Sequence, residues 1–144
     1  MTEKPSLTHI AIHARDLEAT LAFYADYCGM EPIHQREDEP GVRVVWIAEP
    51  GREERFVIVV IEGGPGALRR ERDFSHFGFS CADRGTVERL AARAEREGRL
   101  TWPLCDAPPP LGYFCGVEDP NGNMVEFSHG QPLGPPAQEG GPGA

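Results

Sequence analysis

Between Thr8 and Ala14 the chain reads THIAIHA, an alternation that puts Ile10 and Ile12 on one face of a strand and His9, Ala11 and His13 on the other. The segment SHFGFSC, Ser75 to Cys81, repeats the arrangement, with Phe77 and Phe79 opposite His76, Gly78 and Ser80. One face of each strand suits a core; the other is small and polar. Asp16 and Asp83 follow, each placed so that its carboxylate accepts bonds from the unpaired N–H groups of a helix start. Leu17, Leu21, Tyr24 and Cys28 then recur at helical spacing, as do Val87, Leu90, Ala91 and Ala94, and Gly29 and Gly98 mark the predicted helix ends.

Three extended runs follow each helix: EPIHQRE, VRVVWIA and RFVIVVIE after the first, then RLTWPLC, GYFCGVE and NMVEFSH after the second. A constant offset of 67 residues relates His9 to His76, Asp16 to Asp83, Phe23 to Leu90 and Gly63 to Gly130 without a gap. The chain therefore reads as a tandem repeat of one βαβββ unit, of α+β class. The expected organisation is a domain over residues 1–130, with modules at about 7–63 and 74–130, and a disordered Gly/Pro-rich tail over 131–144. In DPNG, Pro120 and Gly122 occupy the second and fourth positions of a predicted type I turn that aims the closing strand.

Composition narrows the partners. Twenty-three acidic against fourteen basic residues give a formal charge of −9, which repels nucleic acid and anionic membranes. No apolar run is long enough to span a bilayer and no signal-peptide pattern is present, so a cytoplasmic location is expected. Cys28, Cys81, Cys105 and Cys115 form no C-x-x-C pair, and reduced thiols are the expectation.

Three segments resemble the vicinal oxygen chelate superfamily, the glyoxalase I, bleomycin-resistance protein and extradiol dioxygenase group. They are HIAIHARDLEATLAFYADYCGM with His9, Asp16, Phe23, Tyr24, Gly29 and Met30; SHFGF with His76; and DPNGNMVEF with Glu126. The resemblance covers nearly everything from Leu7 to His129. It implies paired βαβββ modules forming a curled mixed sheet around a metal-binding cleft, with His9, His76 and Glu126 as metal ligands. The alternation places the same three side chains on the faces opposite the apolar residues, Glu126 lying between Val125 and Phe127. A lone strand histidine is more often hydrogen-bonded than metal-bound, but a carboxylate set between two apolar residues is expensive to bury unless paired or coordinated.

The repeat also locates an absent ligand. Glu126 lies 67 residues after Val59, which cannot bind a metal, and Glu62 falls on the other strand face. Glyoxalase I enzymes typically place a fourth ligand at that strand. Two histidines and one carboxylate instead match the facial triad of non-haem Fe(II) oxygenases, favouring Fe(II) or Mn(II), with Zn(II), Ni(II) or Co(II) as alternatives. Extradiol enzymes usually carry a tyrosine three residues before the turn aspartate, where this chain has Gly116. The reading is a divalent-metal-dependent enzyme acting on a small molecule with neighbouring oxygens, dioxygenase-like first, with a glyoxalase-type lyase or isomerase or a metal-free drug-binding protein as alternatives. His13, on the face of His9, is the leading acid–base candidate; Tyr113, whose odd spacing from position 116 suggests the opposite strand face, and His34 are weaker ones, and His129 alternates away from Glu126. The resemblance also implies a homodimer.

Overall fold

The computed structural model describes residues 4–133, which divide into two compact units between Leu68 and Arg69. The first contains β1 (His9–Ala14), α1 (Leu17–Cys28), β2 (Glu31–Glu39), β3 (Val42–Ala48) and β4 (Val57–Glu62). The second contains β5 (Phe77–Ser80), α2 (Arg84–Arg96), β6 (Leu100–Ala107), β7 (Gly112–Glu118) and β8 (Met124–His129). Each unit forms its own open four-stranded mixed sheet, ordered β1-β4-β3-β2 and β5-β8-β7-β6, so the first strand of each module lies parallel to its last. The parallel pair keeps the repeat's register: Ala11 pairs with Val59, and their 67-residue equivalents Gly78 and Glu126 pair with each other, whereas Trp46 pairs with Val59 and Gly116 with Glu126, a three-residue departure on the neighbouring strand. The α+β tandem βαβββ architecture is thus the one the alternation implies.

Both helices begin at the expected caps. Asp16 Oδ1 accepts from the Ala19 N–H at 3.0 Å and Asp83 Oδ1 from the Thr86 N–H at 2.7 Å. Gly29 ends α1 in the left-handed region at φ 66°, where its N–H donates to the Ala25 carbonyl and the Met30 N–H to that of Tyr24. The buried face of α1 differs from the expected Leu17, Leu21, Tyr24, Cys28 row: it comprises Leu17, Thr20, Phe23, Tyr24 and Tyr27, with Leu21 and Cys28 half-buried. Apolar residues surround most of this helix, so spacing alone fixes its rotation poorly. Thr20 tolerates burial because its hydroxyl donates to the Asp16 carbonyl at 2.8 Å.

In the first unit Val45, Ile47, Ile58 and Val60 are buried on one sheet face, while Trp46 and Val59 pair on the other. Arg43 ties this unit together, donating from its side chain and backbone N–H to Glu62 and reaching Glu18 on α1 at 2.9 Å. These bonds hold the Glu62 carboxyl down to about 2 from 4.5.

In the second unit α2 buries Val87, Ala91 and Ala94, and Cys115, Val117, Val125 and Phe127 are buried in the sheet, with Phe127 stacked on Phe79 at 5.9 Å. Asp119 closes the DPNG turn from within: its Oδ1 accepts from the Asn121 and Asn123 N–H groups at 2.8 and 2.9 Å, and its carbonyl accepts from the Gly122 N–H at 3.2 Å. The strand expected over Ser75–Cys81 is shorter, so His76 lies one residue ahead of β5. Of the segment expected to be disordered, Gln131 donates to Glu126, and residues 134–144 lie outside the described residues.

Phe127→Ala should cost about 3–5 kcal/mol, as expected for a buried aromatic truncation. Urea unfolding measures this, and a loss below about 1 kcal/mol would show that the Phe79–Phe127 stack does not anchor the unit. The Glu62 carboxyl is lower in the folded state, so its contribution is present above about pH 4.5 and lost as pH falls through about 2. Melting temperatures of wild type and Glu62→Gln should therefore differ at neutral pH and converge on acidification; a constant gap would contradict the assignment.

Candidate metal centre

Glu126 is 9% exposed, held on β8 between the buried Val125 and Phe127 but turned to the opposite sheet face. The Gln131 side-chain amide donates to its Oε2 at 3.2 Å, and His76 Nε2 lies 3.9 Å from the same oxygen. His76 Nδ1 is 2.7 Å from the Phe74 carbonyl oxygen. A carbonyl only accepts, so Nδ1 carries the proton of that bond, and an imidazole with no second proton would turn an Nε2 lone pair toward the carboxylate. Two electron-pair donors then face each other at a distance too long for a hydrogen bond. A proton or a cation between them removes the conflict.

Ligands bonded at roughly 2.0–2.2 Å with tetrahedral or cis-octahedral angles stand about 3.0–3.5 Å apart, so the two side chains would have to close by roughly 0.5–1 Å to share a divalent ion. The backbone around Glu126 is cleared as well. Its neighbours across the sheet are Gly78 on β5 and Gly116 on β7. A Cβ at Gly78 would come within 3.2 Å of Glu126 Oε2, and one at Gly116 would strike the Trp102 indole. A carbonyl-anchored imidazole beside a largely buried carboxylate is the usual outer support of a metal-ligating histidine.

The first unit supplies a different surface. His9 is exposed, with Nδ1 2.9 Å from the Thr8 hydroxyl, and lines a pocket of about 230 Å³ with Trp46, Phe56, Val57 and Val59. Glu53, Glu54 and Arg55 complete its lining. The Glu53 carboxyl is held below its usual range by the Gly51 N–H, and so keeps a charge there. The Trp46 indole N–H is buried without an acceptor among the described residues, a donor that a ligand oxygen or a water would satisfy. His34 packs edge-on against Trp46 at 5.1 Å, on the same face.

Within neither unit do the described residues bring together three His, Cys, Asp or Glu side chains placed to hold a metal ion. His76 and Glu126 meet in the second unit, and His9 belongs to the first. His13 is exposed on β1, its ring where a side chain on Gly64 would be. Tyr113, an acid–base candidate from the sequence, is not brought to Glu126. It lies on the other face of β7 from Gly116, with its hydroxyl donating to Glu88 of α2 at 3.1 Å and its ring 3.9 Å beneath the Arg84 guanidinium. Desolvation and the Glu88 carboxylate hold its phenol above the usual value. His129, paired with Tyr113, bonds to the Cys81 carbonyl at 3.1 Å. Glu62 is committed to Arg43 and Val59 is apolar, so the first sheet offers no carboxylate at the position equivalent to Glu126.

Trp102, Trp46 and Gln131 escaped the sequence reading. Trp102 is visible only once the irregular β6–β7 register is known, and Gln131 falls in a segment whose composition suggests disorder.

Two βαβββ modules in tandem, with a histidine and a carboxylate close together in the second, define the fold class of the chain. The family described as Glyoxalase/Bleomycin resistance protein/Dioxygenase superfamily matches residues 6–127, and the chain belongs to it. It is 52% identical over 131 residues to the uncharacterized protein PA2024 of Pseudomonas aeruginosa, covering 91% of this chain and 93% of that one. Among solved structures it is similar to the trypanothione-dependent glyoxalase I of Leishmania major, at TM-score 0.65 and 19% identity over 89% of this chain and 88% of that one. It is also similar to the fosfomycin resistance protein FosX of Listeria monocytogenes complexed with Mn(II) and sulfate, at TM-score 0.65 and 19% identity over 87% and 92% of the two chains. At such identities these two likenesses establish the fold.

Cys115 adjoins Gly116 on the helix side of β7, where burial pushes its thiol up to about 12. Its thiol is thereby kept protonated and unreactive near neutral pH. Iodoacetamide at pH 8 should modify the exposed Cys105 and leave Cys115 untouched in the native protein, as peptide mass mapping would show. Native labelling of Cys115 would contradict its placement.

Proposed function

We propose that this protein is a divalent-metal-dependent enzyme acting on a small molecule with neighbouring oxygens, dioxygenase-like in reaction class. The observation that carries the reading is the approach of His76 Nε2 to Glu126 Oε2 at 3.9 Å with Nδ1–H already committed to a carbonyl. His9 is taken as the third ligand, and Fe(II) or Mn(II) suits two imidazoles and one carboxylate. When bound, the ion supplies Lewis-acid stabilisation of charge developing on the substrate oxygens.

The chain's own residues do the rest. The apolar walls from Trp46, Phe56, Val57 and Val59 seat the carbon part of a substrate beside His9 and keep water from it. His13 shares the face of His9 and is assigned proton transfer. The protein is read as a cytoplasmic homodimer, without nucleic-acid or membrane partners. No helix among the described residues is long and apolar enough to cross a membrane.

A second reading, glyoxalase-type lyase or isomerase chemistry, is favoured by Gly116, which leaves the Glu126 face without the phenol that extradiol enzymes usually present there. A metal-free binding protein is the weaker alternative, because a binder has no need to set two acceptors face to face.

Calorimetric titration of metal-stripped, untagged protein with Mn(II) and Fe(II) should give stoichiometric binding that His76→Ala and Glu126→Ala abolish. Equal, negligible binding by wild type and variants would overturn the metal reading. Oxygen uptake by the Fe(II) form with a catechol panel supports the dioxygenase class. No uptake by a protein that retains the metal transfers the assignment to lyase or isomerase chemistry.

A further inference from the structure

Trp102 belongs to a row that crosses the second sheet. It pairs with Gly116, Gly116 with Glu126, and Glu126 with Gly78. The carboxylate is thus flanked by glycine on both sides, and the two gaps are used differently. Beside Gly78 the gap leaves the carboxylate room. Above Gly116 it is filled by the indole: a Cβ there would lie 2.5 Å from Trp102 Cε3, so the ring rests on bare β7 backbone.

Lying there, the indole meets His76 edge-to-face, with ring centroids 5.1 Å apart and planes at 84°, and it also approaches Phe74 at 6.5 Å. His76 needs such a neighbour. It precedes β5, its side chain is about one-third exposed, and the Phe74 carbonyl anchors only one atom of its ring. A ring held at Nδ1 alone can tilt about that bond and carry Nε2 away from Glu126. The indole wall closes that freedom.

We propose that Trp102 is a positioning residue which, seated on Gly116, fixes the His76 imidazole with Nε2 toward Glu126 and so sets the affinity of this pair for a divalent cation. The proposal rests on the metal-binding reading above. Removing an outer partner of a ligating histidine typically weakens metal binding about 10–100-fold. Trp102→Ala should do so, and Gly116→Ala should do the same without altering Trp102, because its new Cβ evicts the indole. Trp102→Phe, which keeps a flat ring, should restore most of the affinity.

Two measurements separate this idea from its premise. In metal-free protein, proton–nitrogen correlation spectra of the imidazoles should show His76 fixed in the Nδ1–H tautomer in wild type and Trp102→Phe, and averaged in Trp102→Ala and Gly116→Ala. Calorimetry with Mn(II) then reads affinity, and melting curves verify that each variant is folded. Unchanged tautomer and affinity in a folded Gly116→Ala protein, or an averaged tautomer in wild type, overturns the positioning role. A fixed wild-type tautomer that averages in Gly116→Ala, in a protein that binds no Mn(II), sustains the positioning of His76 and overturns the metal reading instead.

Discussion

A neutral imidazole that gives its single N–H to a carbonyl has only a lone pair left for a carboxylate. His76 is in that position: its Nδ1 is committed to the Phe74 carbonyl, and its Nε2 faces a Glu126 oxygen 3.9 Å away that is itself largely buried. Burying a carboxylate against another acceptor is costly without a counter-charge. Much of the second unit serves to hold this arrangement. The Asp119-bonded turn aims β8, Val125 and Phe127 anchor it in the core, and glycines clear both flanks of Glu126.

The repeat explains how one half of the chain came to carry this burden and the other a pocket. Val59 and Glu126 hold the same place in equivalent sheets, each paired with a small residue on the parallel first strand. Valine there leaves the first sheet apolar, and with Trp46, Val57 and Phe56 it forms the wall beside His9. One backbone plan thus carries a histidine–carboxylate pair in one copy and an apolar-walled pocket in the other. The difference lies in side chains and in a three-residue shift of the strand paired with each, Trp46 facing Val59 and Gly116 facing Glu126.

Much of this was legible in the sequence, because period-two alternation and an ungapped repeat constrain backbone and face together. The Asp16 and Asp83 caps, the sheet content of both modules and the outward turn of Glu126 all follow from them. The rotation of α1 did not, since Phe23, Tyr24 and Tyr27 stand beside Leu17 and Leu21 on a helix with little polar surface to fix its direction. The odd spacing of Tyr113 from Gly116 already implies the opposite strand face, and its hydroxyl meets Glu88 of α2 there. Trp102 was hidden by the β6 irregularities, which break the simple count of alternate residues from Leu100 to Cys105.

The central claim is that His76 and Glu126 share a cation. Anomalous diffraction at the manganese edge from crystals grown with Mn(II) tests it most directly. The account predicts a peak within bonding distance of both His76 Nε2 and a Glu126 carboxylate oxygen. Manganese-bound crystals with that space empty and the peak elsewhere would contradict it.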